Sequence, residues 1–178
     1  EADGGKQFRT PMLDFEKRIE SDLVSENNPR IVFDFSHRLL EELEQGLSAV
    51  KPAIEDYFSL SLGDQANPHI TIWNPGSFIG YHADAVDISA SAKSTELRIV
   101  VLLFLNDNVD YELKVKSPKT YKGGNLVIYS LMKGEKFEKY GYPIKGKTGN
   151  LVAFKANSPH EVTPVISGTR YVLKTGFH

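Results

Sequence analysis

The sequence predicts an α+β fold: a β-sandwich or jelly roll with helices packed on one face. Two observations carry this. Between about residues 12 and 57 the apolar residues recur at helical spacing. From about His69 onward, short apolar runs of strand length are punctuated by Gly, Pro and Asn. About eight or more short strands after a helical block is the pattern of a layered sheet structure with helices on one side. The chain has 178 residues, and domains usually run ~100–200 residues. We therefore expect a single domain over 1–178, helical at about 12–60 with a jelly-roll core at about 69–178.

Leu13, Ile19 and Leu23 mark a first helix. Phe35, Leu39, Leu40, Leu43, Leu47, Val50 and Ile54 trace the apolar stripe of a second, with Asp34 or Ser36 as its cap. Pro52 interrupts that stripe and predicts a kink or a break. The strand-like runs are His69–Trp73, Leu97–Leu105, Asn125–Tyr129, Asn150–Lys155, His160–Val165 and Arg170–Phe177. Weaker ones lie at Tyr111–Val115, Phe137–Lys139 and Tyr142–Lys145. Between them fall turn signals such as Asn74-Pro75-Gly76, Gly123-Gly124 and Ser167-Gly168. Gly123-Gly124 reads as a strand-entry turn, not a phosphate loop, because no helix and no Lys-Ser/Thr follow it. The run from Lys133 to Lys139 alternates charge and reads as a solvated hairpin face. Ala85 to Glu96, small and polar, reads equally as a substrate lid or as a connector.

Apolar content of 40%, charged content of 25% and a net charge of −2 are ordinary for a globular protein. They give no reason to expect nucleic acid or membrane as a partner, and no stretch approaches the ~18 apolar residues of a membrane span. The polar start lacks an apolar signal core, so a cytoplasmic or otherwise intracellular location is expected. The missing initiator Met suggests a piece of a longer chain. Nothing in the sequence sets an oligomeric state. Cysteine is absent, which excludes disulfides, zinc–thiolate sites and cysteine nucleophiles. Any metal site must use His, Asp and Glu, and there are only 5 histidines.

Among them, His82 and Asp84 are spaced i, i+2, so on a strand both point to one side. With His160, which follows an apolar strand, they compose the two-His, one-carboxylate set typical of non-heme iron(II). Such a set leaves metal positions open. His-x-Asp by itself is a weak signal, equally at home on a surface loop; Arg170 strengthens it. Two antiparallel strands joined by a turn near Ser167-Gly168 would bring Arg170 level with His160. Its planar fork suits a carboxylate. Of the remaining histidines, His37 reads as a surface residue, His69 as a hydrogen-bonded structural one and His178 as terminal and mobile.

These residues resemble the 2-oxoglutarate and iron(II)-dependent dioxygenases, in particular the prolyl 4-hydroxylase-like branch. The resemblance runs from roughly Ile70 to Phe177. It includes the His-x-Asp pair, Arg98 opening an apolar strand that ends in Leu105-Asn106-Asp107, and Gly123-Gly124-Asn125-Leu126. The segment from Pro159-His160-Glu161-Val162 to Thr169-Arg170-Tyr171 is similar to that of the oxygen-sensing prolyl hydroxylases.

The resemblance implies a double-stranded β-helix, with His82, Asp84 and His160 as ligands of Fe(II) and as the catalytic centre. It implies 2-oxoglutarate and O2 as cosubstrates, Arg170 on the distal carboxylate, and ascorbate as a candidate reductant. The implied reaction hydroxylates a C–H bond, first of all in a prolyl residue of a protein or peptide, and decarboxylates 2-oxoglutarate to succinate. A free amino acid or small natural product is the alternative substrate. A non-catalytic jelly-roll binding module with a vestigial metal site is an alternative of another class, and a cupin-like metal enzyme without 2-oxoglutarate is a third.

Two positions depart from the relatives. Where they carry a Tyr leading to the His-x-Asp pair, this chain offers Trp73 or Asn74, each with an N–H donor. Where the oxygen-sensing members carry a Tyr before Leu-Asn, it has Phe104. Arg170 then needs another helper, with Lys174, Thr163 and Tyr129 as candidates. Tyr81, Arg98 and Tyr129 are candidate substrate contacts.

Overall fold

The computed structural model describes residues 29–33, 35–85, 97–109, 119–129, 131 and 140–178. Helix α1 spans His37–Phe58 and twelve strands surround it in sequence: β1 Arg30–Val32, β2 His69–Trp73, β3 Ile79–His82, β4 Ile99–Phe104, β5 Asp107–Asn108, β6 Thr120–Gly123, β7 Leu126–Ile128, β8 Tyr142–Ile144, β9 Leu151–Lys155, β10 His160–Val162, β11 Val165–Gly168 and β12 Arg170–Phe177. They form a five-stranded sheet ordered β1-β2-β12-β4-β9, a four-stranded sheet ordered β3-β10-β7-β8 and a three-stranded sheet ordered β11-β6-β5. All pairings are antiparallel except β5 with β6. The apolar interior lies between sheets: Trp73, Val100, Leu102, Phe104, Phe154 and Val172 of the large sheet meet Leu126, Ile128 and Val162 of the four-stranded one. This is the jelly-roll core expected.

Strand β4 explains why its sequence reads as one unbroken apolar run. Val100, Leu102 and Phe104 enter the core between sheets. Ile99 and Val101 point the other way and join Leu47 and Ile54 of α1, with Leu62 and Phe177, in a second cluster. A strand covered on both faces has no polar alternation to show. Helix α1 begins at Ser36, whose hydroxyl accepts from the Leu39 N–H, and ends at Ser59 in the left-handed region.

The structure corrects several expectations. Pro52 lies inside α1, and the helix runs through it unbroken. Pro52 and Ser48, whose carbonyl loses its partner, are both exposed, so water can replace the missing bond. Strand β1 lies in the zone read as helical; Ile31 and Val32 follow Pro29, and the open edge of β2 pairs with them. His178 is tied down: its N–H donates to the Asp64 carbonyl, and its own carbonyl accepts from Gly63. The first expected helix, Asp34, the loop at 86–96, the weak strands at 111–115 and 137–139 and the charged run at 133–139 lie outside the described residues. No described helix is long and apolar enough to cross a membrane.

Candidate metal centre and anion fork

Antiparallel pairing of β3 with β10 puts His82 and His160 directly opposite one another. Asp84 sits just past the end of β3, in a bend where the N–H groups of Asp84 and Ala85 both donate to the Ala156 carbonyl. One ligand atom from each of His82, Asp84 and His160 lies within 4.8 Å of the others. The His82 Nε2 is 3.7 Å from Asp84 Oδ1, and the His160 Nε2 is 3.8 Å from Asp84 Oδ2.

Both imidazoles are oriented by their own strands. His82 Nδ1 is 2.8 Å from the Gly80 carbonyl and His160 Nδ1 is 2.9 Å from the Ser158 carbonyl. A carbonyl only accepts, so each ring carries a proton on Nδ1 and presents Nε2 toward Asp84. Phe154 packs edge-on against His160, with 4.8 Å between centroids. Burial, and then the neighbouring His82, lower the His160 pKa to about 4, so it is neutral near pH 7. Burial pushes the Asp84 carboxyl up, but His82, Lys174 and His160 outweigh it and hold it well below the usual carboxylate range. Two imidazole Nε2 atoms and a carboxylate meeting at one point suit a hard to borderline divalent metal.

Lys174, on β12, reaches across from the other sheet: its Nζ is 3.0 Å from each Asp84 oxygen. Arg170 lies four positions earlier on the same strand, hence on the same face. Its register partner is Trp73. The guanidinium lies 5.1 Å from the Trp73 ring and 5.4 Å from the Phe104 ring, between strands β2 and β4. Arg170 is 1% exposed, and its Nε and Nη2 have no hydrogen-bond partner among the described residues. These nitrogens form one edge of the guanidinium, so the unpartnered pair is a complete side-on fork for a carboxylate. Among the described residues no carboxylate pairs with it. Two ring faces offset part of the cost of burying this charge; an anion on the fork would offset the rest. Burial lowers the Arg170 pKa, and the nearby Tyr121 opposes that shift.

His82, Asp84, His160, Trp73, Arg170 and Lys174 all line one cavity of about 140 Å³. Val100, Leu102, Leu126, Phe154 and Val172 make its walls apolar, and Pro29 and Ile31 lie at β1. An apolar cavity of roughly 150 Å³ takes up a benzene-sized molecule, so a small organic acid is the natural scale of occupant.

The other candidates lie elsewhere. Thr163 accepts from the Asn125 N–H, and Asn74 pairs with Thr169 in a turn. Tyr129 donates to Glu161 at 2.7 Å and packs on Tyr81, and neither ring lines the cavity. Arg98 donates to the Ser61 carbonyl beyond the end of α1. Lys174 lines the cavity but serves Asp84 rather than Arg170. His160 and Arg170 share the cavity without being hairpin neighbours, because β11 between them joins the third sheet. His69, read as structural, and Thr71 also line the cavity. Both residues alternate with Trp73 on β2, which is the signal that could have found them.

Solved structures similar to this one share its fold. A Pseudomonas putida prolyl-4-hydroxylase matches with a TM-score of 0.61 at 20% identity, covering 84% of this chain and 70% of that one. A Trichoplax adhaerens prolyl hydroxylase in complex with a hypoxia-inducible-factor peptide fragment matches at 0.59 and 16%, covering 91% and 73%. In sequence, a PKHD-type hydroxylase of Shewanella sp. strain ANA-3 is 34% identical over 104 residues, 58% of this chain and 38% of the relative. One from Klebsiella pneumoniae strain 342 is 34% identical over 105 residues, 58% and 39%. The chain thus spans under two fifths of the length of these curated relatives. Residues 68–178, more than half of the chain and the part that carries His82, Asp84, His160 and Arg170, match the 2OG-Fe(II) oxygenase superfamily, and this protein belongs to that family.

Proposed function

We propose that this chain is an Fe(II)- and 2-oxoglutarate-dependent hydroxylase. It would convert 2-oxoglutarate, O2 and a substrate C–H group to succinate, CO2 and the hydroxylated product. The observation that carries this reading is the joint placement of a His–Asp–His cluster and an unpartnered buried guanidinium fork on one apolar cavity.

His82, Asp84 and His160 would hold the iron. Bound iron supplies the oxygen chemistry that no side chain here provides. The Nδ1 bonds to Gly80 and Ser158 fix the ring orientation and leave both Nε2 atoms as ligands. Arg170 would take the distal carboxylate of 2-oxoglutarate and so set which end faces the metal. Trp73 walls that subsite, and Val100, Leu102 and Val172 keep water from it. Lys174 keeps Asp84 ionised and in place while one carboxylate oxygen serves the metal.

A prolyl residue of a protein or peptide is the substrate we favour. The fold neighbours from Pseudomonas putida and Trichoplax adhaerens are prolyl hydroxylases, the second in complex with a peptide, and the sequence relatives are PKHD-type hydroxylases.

Anaerobic titration of the protein with Fe(II) and then 2-oxoglutarate tests the cosubstrate. The expected result is the weak visible charge-transfer band of a 2-oxo acid chelate; no band with iron confirmed bound would remove 2-oxoglutarate from the site. Succinate release stimulated by prolyl peptides but not by free amino acids would support the substrate, and the reverse preference would overturn it.

A further inference from the structure

Among the described residues that line the cavity, two fixed cations, Arg170 and Lys174, face a single carboxylate, Asp84. A pocket for a divalent metal alone would gain from the opposite balance, since each added cation repels the ion. Lys174 is the cation that bears on this. Its Nζ is 3.0 Å from both Asp84 oxygens, so it straddles the one carboxylate of the His–Asp–His cluster. The same two oxygens are 3.7 Å and 3.8 Å from the Nε2 atoms of His82 and His160. The Lys174 side chain is 30% exposed and that of Asp84 15%, so water screens the pair only in part. Two neighbours register the charge. Burial is the main cause of the lowered pKa of His69 and of His160, with His82 next for His160, and Lys174 adds to both. Along β12 the cavity-lining positions run Arg170, Val172, Lys174, a cation at each end with an apolar residue between. Four residues of strand span about 13 Å, so the fork and the ammonium serve different ends of the cavity.

We propose that Lys174 sets the balance between metal and anion: its charge weakens a metal bound alone at His82, Asp84 and His160, and strengthens a dicarboxylic 2-oxo acid bound between that metal and Arg170. This rests on the Fe(II) and 2-oxoglutarate reading above and deepens it. Lys174 acts on the metal in two opposing ways: it orders the Asp84 side chain, and it repels the ion. The ordering is the smaller effect. The N–H groups of Asp84 and Ala85 already fix that backbone on the Ala156 carbonyl, so Lys174 orders only the two side-chain torsions of a short residue. The repulsion acts on a doubly charged ion in a cavity with apolar walls, where charges are felt more strongly than in water. An acid with two negative charges meets the same ammonium as an attraction. The metal alone is then held less tightly than its three ligands allow, and the acid makes up the difference. Arg170, at the far end, acts on the acid only.

Calorimetry with Mn(II) alone, and then with 2-oxoglutarate on the Mn(II)-loaded protein, tests this. Lys174→Met should tighten Mn(II) about tenfold and weaken 2-oxoglutarate about tenfold. Lys174→Gln, which keeps a donor for Asp84 without the charge, should shift both affinities in the same directions, and it carries the test should Lys174→Met fail to fold. Lys174→Arg, which keeps the charge, should stay within about threefold of wild type for both ligands. Weaker Mn(II) binding by a folded neutral variant would make Lys174 a structural support of Asp84 and overturn the proposal. An unchanged affinity for either ligand would overturn it too, as would a Lys174→Arg variant that shifts as far as the neutral ones. Each of these results leaves the cosubstrate reading standing. A wild type that binds no Mn(II), or binds Mn(II) but no 2-oxoglutarate, would overturn that reading and this inference with it.

Discussion

Arg170 is the residue on which the proposed selection of the cosubstrate rests. It is a fully buried cation whose Nε and Nη2 have no hydrogen-bond partner among the described residues, and an anion would complete it. Arg170→Gln should raise the 2-oxoglutarate requirement by a factor corresponding to about 2–5 kcal/mol while moving metal affinity little, as measured by separate titrations; equal effects on both would make the Arg structural. The cluster of His82, Asp84 and His160 makes the protein sensitive to acid. The His160 pKa is lowered from 6.5 to about 4, first by burial and then by His82. Below 6.5 the unfolded chain takes up a proton that the folded protein refuses. Stability is therefore full above that pH and falls as pH drops from 6.5 toward 4, by on the order of 3 kcal/mol. The depressed carboxyl of Asp84 adds its own loss only below its ordinary value of 3.8. Urea unfolding in chelator at pH 7 and pH 4.5 measures the difference; a flat profile would mean that water reaches His160 freely.

Strand β4 separates stability from ligand binding at the level of the element. Its odd residues Ile99 and Val101 hold α1, and its even residues Val100, Leu102 and Phe104 face the interior. Val101→Ala should cost about 2 kcal/mol of unfolding free energy and leave 2-oxoglutarate affinity unchanged. Leu102→Ala, on the cavity wall, should cost a similar amount or more and also weaken the ligand. Denaturant unfolding with parallel calorimetry distinguishes them, and equal ligand effects would mean that the two faces of β4 are not independent.

Across the whole molecule, the cavity is a joint between sheets. β3 and β10 of the four-stranded sheet bring the two histidines, and β12 of the five-stranded sheet brings Arg170 and Lys174. A metal bound on one wall and a dicarboxylate anchored on the other would tie the two together. At a hundred times its Kd each ligand adds about 2.7 kcal/mol, which for a domain of this size is roughly 5–10 °C in Tm. Because the acid would bridge metal and fork, Mn(II) with 2-oxoglutarate should raise Tm by more than the sum of the separate shifts. A merely additive rise would mean that the acid does not reach the metal.

Local features of the chain were enough for the longer strands, the jelly-roll class, the stripe of α1 and the grouping of His82, Asp84, His160 and Arg170 around one cavity. Strand periodicity and donor chemistry are properties of neighbouring residues, and the candidate site draws its side chains from short motifs. Sheet order is not local. Lys174 meets Asp84 across 90 residues of chain. Hairpin logic placed His160 and Arg170 on adjacent strands, whereas they occupy opposite walls, because β11 departs to pair with β6. Which strands become neighbours depends on how all the apolar faces close into one interior. Only that closure decided that Lys174 stands beside Asp84.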